Sequence, residues 1–293
     1  MQYDGIQKFP DDGLLLQLSG RPAASPFAKK DAPLPRYRVP QAAAKLSLTY
    51  TARVMPMYEH SWNELHVREN IIEVLSGAPE GITIAQRSNF APPTAWMYED
   101  LWRKKSIGLM SGEDFSFDDE RQLLLEWLSP ETGELLLDLG CSSGFYARSL
   151  KQAAPGAKVV ALDFSLPMLR DARKRALAEK LELYLLRADA QNLPFAAQSL
   201  DALCCGGSLN EFARPETALR EARRVIKPEG RLFMMHLLEA GTPAGRLLQK
   251  AAGGGGIHFW SSGASRQLFE EAGFQIIKEK QLGIVMFSLL KPA

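Results

Sequence analysis

The chain has 293 residues, 46% of them hydrophobic and 24% charged, a composition for one large soluble domain or one domain with a smaller addition. A formal net charge of +1 supplies no global field that would gather nucleic acid. The three cysteines, Cys141, Cys204 and Cys205, are odd in number and form no Cys-x-x-Cys pair, which argues against a disulfide framework or a structural zinc site and for a reducing, cytoplasmic setting. No basic segment followed by an apolar run opens the chain. The longest apolar stretches, such as residues 282–290, are half a membrane span, so contact with a membrane surface stays open while crossing does not.

Ten of the eighteen prolines fall within residues 1–93, and proline removes a backbone donor and interrupts both regular structures. The first 40 residues therefore read as loop-rich. Leu46–Val54 alternates as a strand does. Trp62–Leu75 places Leu65, Ile72 and Leu75 on one helical face, with Gly77 and Pro79 as stop signals. Residues 1–92 are thus expected to be a Pro-rich N-terminal extension with a small α+β unit in it, and they carry no legible chemistry. From residue 93 to 293 helical segments alternate with short apolar runs. Tyr98 and Trp102 share one helical face, suited to a core or to a pocket wall. A helix is predicted over 118–128. Runs at 134–138, 158–163, 181–186, 202–205 and 231–237 alternate with helices near 145–152, 167–180 and 215–226. A last helix near 263–272 precedes two apolar runs joined by a turn too short for a crossover. The pattern predicts an α/β fold, mostly parallel and flanked by helices, with one antiparallel pairing at its end.

Four segments carry chemistry. In LLLDLGCSSGFYARSL, residues 135–150, a buried strand ends at Asp138, and Gly140 and Gly144 bracket a tight loop holding Cys141 and Ser142. Glycine there lets backbone approach a ligand, and the helix that follows offers N–H groups to a carboxylate. Asp138 can take an ammonium. The spacing is not the dinucleotide G-x-G-x-x-G; the alternative is a strand–turn–helix corner without a ligand. In VVALDFS, 159–165, Asp163 ends the next strand, where ligands of open α/β sheets bind. Its carboxylate suits two ribose hydroxyls, Phe164 suits an adenine face, and Ser165 continues that turn; the competing role of Asp163 is to cap the next helix. In RADAQNLPF, 187–195, Asp189 suits an adenine amino group and the Ala190 backbone suits the ring, unless this is a surface turn. In CCGGSLNEF, 204–212, Gly206 and Gly207 leave room for cofactor or substrate, and Asn210 and Glu211 are polar candidates near the acceptor. Cys204 and Cys205 read as buried strand cysteines.

Together, LDLGCSSG, ALDFSLPML, ADAQNLPF and LREARRVIKPEGRLFMM resemble the class I S-adenosylmethionine-dependent methyltransferases, especially the ubiquinone/menaquinone-biosynthesis C-methyltransferase branch. The resemblance covers roughly residues 95–293. The family's Lys-Pro-Gly-Gly turn stands here as Lys227-Pro228-Glu229-Gly230. The resemblance implies a Rossmann-like seven-stranded sheet, six strands parallel and one antiparallel, with S-adenosyl-L-methionine over the carboxyl ends of its first two strands.

Downstream, AAGGGGIHFW, 251–260, is either a mobile lid whose Phe259 and Trp260 cover an apolar acceptor or a flexible connection. His258 beside it and His236 on the fifth strand join Asn210 and Glu211 as candidate bases, His236 having a core role as its alternative. The leading expectation is methyl transfer to a small acceptor, aromatic or isoprenoid, with no nucleic acid and no metal. The alternatives are a protein or nucleic-acid methyltransferase that uses residues 1–92 for recognition, and a non-catalytic cofactor-binding scaffold.

Overall fold

In the computed structural model the described residues are 66–75, 83 and 115–293. The predicted strand Leu46–Val54 and the pocket candidates Tyr98 and Trp102 lie outside them.

The first described element corrects the sequence reading. Within the predicted helix Trp62–Leu75, residues His66–Arg68 (β1) and Ile71–Glu73 (β2) form an antiparallel hairpin. Glu69 and Asn70 between them both have positive φ, 53° and 59°, the two-residue turn whose twist matches that of paired strands. Tertiary pairing overrides the helical spacing: β2 runs parallel to β5 (Tyr184–Arg187), with Ile71 opposite Leu185 and fully buried. These residues of the expected extension are therefore strands of the main sheet.

Helix α1 (Phe117–Leu128) opens on a capping box. Ser116 accepts from the Asp119 N–H, and the Asp119 carboxylate accepts from the Ser116 N–H at 2.8 Å, a cap contributing about 1 kcal/mol. There follow β3 (Leu135–Leu139), α2 (Phe145–Ala153), β4 (Lys158–Asp163), α3 (Leu166–Ala178) and β5. The second half holds β6 (Leu200–Gly206), a 3-10 turn (Ser208–Glu211), α4 (Pro215–Val225) and β7 (Ile226–Leu237). It continues through α5 (Pro243–Gly253), α6 (Ser262–Glu271), β8 (Phe274–Leu282) and β9 (Val285–Pro292). Helix α5 has no counterpart in the sequence reading.

The sheet order is β1-β2-β5-β4-β3-β6-β7-β9-β8. The seven strands from β5 to β8 are the predicted sheet: β5, β4, β3, β6 and β7 are mutually parallel, and β9 is antiparallel to both β7 and β8. The hairpin adds two strands at one edge. Apolar side chains are buried on both faces, as a sheet covered on both sides requires. On one face Leu124, Leu150 and Leu169 of α1, α2 and α3 pack against Leu136, Val159 and Phe233. On the other, Leu219 of α4 and Phe269 of α6 pack against Leu137, Val160 and Leu203. Consecutive strands depart to opposite sides of β3, so a crevice opens beyond its carboxyl end, at the position where open α/β sheets hold ligands.

Candidate active site

Strand β3 delivers Asp138 to that crevice, buried and with both oxygens engaged. One accepts from the Ala147 N–H in the first turn of α2 at 2.9 Å, the other from the Cys204 thiol at 3.7 Å. The carboxylate thus complements the positive end of the helix from the side, and it uses one of the N–H groups the sequence left open for a ligand. The loop then turns sharply. Gly140 and Gly144 take φ of 68° and 77°, a region that disfavours side chains. A Cβ on Gly140 would stand 2.6 Å from both the Cβ and the Oγ of Ser208. Ser208 itself donates to the Gly140 carbonyl at 2.8 Å, so the β3 and β6 loops touch at that glycine.

Asp163, at the end of β4, faces the same loop. Its carboxylate accepts from the Ser142 N–H at 2.9 Å and from the Ser165 N–H at 2.8 Å. The helix-cap alternative for Asp163 gives way to Ser165, whose side chain caps α3. Burial pushes the Asp163 carboxyl up to about 6, against the pull of its backbone N–H partners. Both oxygens retain lone pairs for further donors.

Two adjoining clefts line this crest. One is bounded by Asp138, Gly140, Cys141, Ser142, Ser143, Phe145, Tyr146 and Gly206. The other is bounded by Ser142, Leu162, Asp163, Phe164, Ala190, Ser208, Glu211 and Phe212 among others. Of the predicted cofactor residues these clefts gather Asp138, Gly140, Cys141, Ser142, Asp163, Phe164, Ala190 and Gly206. Gly144 and Ser165 support them from behind, as the N-caps of α2 and α3. Asp189 stands at the cleft's margin, its carboxylate accepting from the N–H and side-chain amide of Gln191. It closes its own turn, half-buried between Ala188 and Ala190. Tyr146, Ser208 and Phe212 are wall residues the sequence reading passed over. The signal was available for Tyr146, which follows directly on the glycine loop; Ser208 and Phe212 are brought there by the 3-10 turn, which no periodicity announces.

The lining suits a nucleoside bearing an amino acid. It joins an aromatic face at Phe164, a buried acid at Asp163, a backbone-walled slot at Gly140 and a second acid beside a helix N-terminus.

Residues 137–234 match the family described as methyltransferase domain. Over 100 residues the chain is 45% identical to the demethylmenaquinone methyltransferase of Thermus thermophilus, covering 34% of this chain and 46% of that protein. Over 118 residues it is 38% identical to the ubiquinone/menaquinone biosynthesis C-methyltransferase of a Ruegeria species, covering 39% and 47%. The chain spans about half the length of the curated relatives it matches. A SAM-dependent methyltransferase from Aquifex aeolicus shares the fold, with a TM-score of 0.52 at 19% identity, over 69% of this chain and 98% of that one.

Residues 137–234 match a methyltransferase domain, and the chain has the fold of one.

Around the 3-10 turn and the end of β7 the structure corrects several expectations. Asn210 is not a free polar group. Its side-chain amide donates to the carbonyls of Leu237 at 2.9 Å and His258 at 2.6 Å, and its Oδ1 accepts from the Leu237 N–H at 2.8 Å. Its backbone carbonyl takes the His258 N–H as well. Both amide hydrogens are spent, so Asn210 clamps the end of β7 to the segment at 258. His236 is fully buried, with its ring edge-on to Phe269 and Trp260, and neither ring nitrogen has a hydrogen-bond partner among the described residues. Burial pulls its pKa down to about 4. It is a neutral core histidine behind Trp260, not a base on the cleft.

The lid expectation changes too. The glycine run ends helix α5 and leads into a fastened segment. His258 is held by Asn210, its ring stacks on Trp260 at 5.8 Å, and Trp260 pairs through its backbone with Leu238 and Glu239. Phe259 lies half-buried between them. Glu211 remains on the cleft wall. Cys204 and Cys205 are buried, and burial raises the Cys204 thiol well above its usual range, with Asp138 adding to the rise.

Proposed function

We propose that this methyltransferase domain transfers the methyl group of S-adenosyl-L-methionine to a small apolar acceptor, aromatic or isoprenoid in kind. The observation that carries the reading is the meeting of Asp138, the Gly140–Gly144 loop and Asp163 around one crevice. Bound there, the cofactor would supply a methyl group already activated on a sulfonium. Asp163 would accept from its ribose hydroxyls, with Phe164 and Ala190 against its base. Asp138 and the first turn of α2 would take its amino-acid end, with Tyr146 and Gly206 as walls.

The protein's own contribution is alignment. Fixing acceptor and donor in line can lower a barrier by about 7–11 kcal/mol. A proton needs a receiver only if the acceptor carries one when it reacts. Glu211 on the cleft wall is the group we assign that task, with His258 as the second candidate. Trp260 and Phe259, held in place through Asn210, would shape the acceptor's surroundings. The buried, unbridged thiols support a reducing, cytoplasmic setting. The likeness to quinone-pathway enzymes supports an apolar ring as acceptor.

Calorimetry with S-adenosylmethionine tests the donor, and labelled methyl transfer into a lipid extract against protein and RNA extracts tests the acceptor. No binding ends the proposal; label found only in macromolecules ends its small-molecule part.

A further inference from the structure

Among the described residues, Gln249 ties helix α5 back to the segment that follows β7. Gln249 accepts from the Ala240 N–H at 2.7 Å and donates to the Leu238 carbonyl at 2.9 Å. Most of the other residues described in the helix are exposed. Leu247 and Leu248 are 71% and 73% exposed, well above Val74, Leu177 and Ile277, the other exposed large hydrophobics among the described residues, at 41–45%. Helical spacing puts Ala244 and Ala251 between the two leucines on the outward arc. Arg246 and Lys250, one turn apart, edge that arc, and neither forms an ion pair among the described residues. From Ala240 to His258 the sequence contains no Asp or Glu. The face is therefore apolar at its centre, cationic along one edge, and free of the acidic residues that would repel an anionic surface.

We infer that α5 is a docking helix for an anionic lipid surface. A short helix with leucines outward and basic residues at the edge lies in the headgroup plane, its apolar side chains entering the acyl boundary and its cations meeting phosphates. The two charges choose the surface over a neutral one, and over an acid-poor protein patch. The helix leaves the carboxyl end of β7 and returns to His258–Trp260, so docking would bring this rim of the sheet to the bilayer. That gives an apolar acceptor a route that does not cross water. The inference stands on the helix alone and does not depend on the methyl-transfer reading.

The test is co-sedimentation of the full chain with vesicles of phosphatidylcholine, with and without phosphatidylglycerol. The expected result is binding that needs phosphatidylglycerol and is reversed by salt. Leu247→Ser with Leu248→Ser should lower the bound fraction by about tenfold. Arg246→Gln with Lys250→Gln should abolish the preference for phosphatidylglycerol. The far-ultraviolet circular dichroism spectrum should be unchanged in both variants, which shows the fold is kept. Absence of vesicle binding by the wild type overturns the inference, as does binding that the serine variant retains. Two other results also overturn it. A lowered melting temperature in the serine variant would mean that the chain itself covers the leucines. A concentration-dependent dimer that this variant loses would mean that a second copy does.

Discussion

At the scale of single residues, Asp163 has the most measurable chemistry. Burial holds its carboxyl at about 6, against 3.8 in water, so the free folded protein binds its proton more tightly than the unfolded chain does. This group therefore favours the folded state below pH 4, and that contribution is lost as pH rises through 6. Ligand binding has the opposite dependence. Ribose hydroxyls donate to the anion, so S-adenosylmethionine affinity should rise about tenfold from pH 5 to pH 7 as the proton leaves. Asp163→Asn should weaken binding and flatten the profile; calorimetry across that range reads both, and a wild-type affinity independent of pH would remove Asp163 from the ribose. Gly140 gives a second, purely steric prediction. Gly140→Ala adds a Cβ 2.6 Å from Ser208 at a φ of 68°, which should cost about 1–3 kcal/mol of stability in urea titrations.

At the scale of elements, the 3-10 turn fastens the end of β7 to the segment at 258. Asn210→Ala would cut three buried side-chain hydrogen bonds. At roughly 0.5–1.5 kcal/mol net for each, the expected loss is about 2–4 kcal/mol, accompanied by a shift in Trp260 fluorescence. An unchanged stability would mean that water replaces the amide. The sequence made Asn210 visible as a candidate without revealing its partners, because these are backbone groups 27 and 48 residues away. The glycine loop, Asp138 and Asp163 were legible because strand, loop and helix follow one another within a few residues. The hairpin at 66–73 was not: Ile72 and Leu75 fit a helical stripe, and the competing evidence, pairing with Leu185 and Leu186, comes from more than a hundred residues on. Helix α5 was hidden by the glycines at its end, and the pinned segment after it by the same run. His236 showed its residue type in the sequence, but the aromatic rings that enclose it come from α6 and the 260 segment.

At the scale of the whole molecule, the edge hairpin and the crevice share a support. Arg187 on β5 pairs with Glu73 of the hairpin at 2.8 Å and donates to the Phe164 carbonyl at 3.2 Å, while Arg170 on α3 meets Glu69. Arg187→Ala should therefore lower both global stability and S-adenosylmethionine affinity, by a few fold in the latter, whereas Arg170→Ala at an exposed pair should change neither appreciably. Equal effects from both would show that the link through Phe164 carries nothing. Ligand saturation should raise the melting temperature, since a ligand at a hundred times its Kd adds about 2.7 kcal/mol. The three cysteines offer an independent view of the same cooperativity. All are buried, and Cys141 and Cys204 have thiols held well above their usual range by burial and by neighbouring carboxylates. A disulfide-exchange reagent should leave Cys204 and Cys205 on β6 untouched until the sheet parts, and reach Cys141 when its loop opens. The protein carries its own clock for unfolding, and a bound cofactor beside Cys141 should slow it.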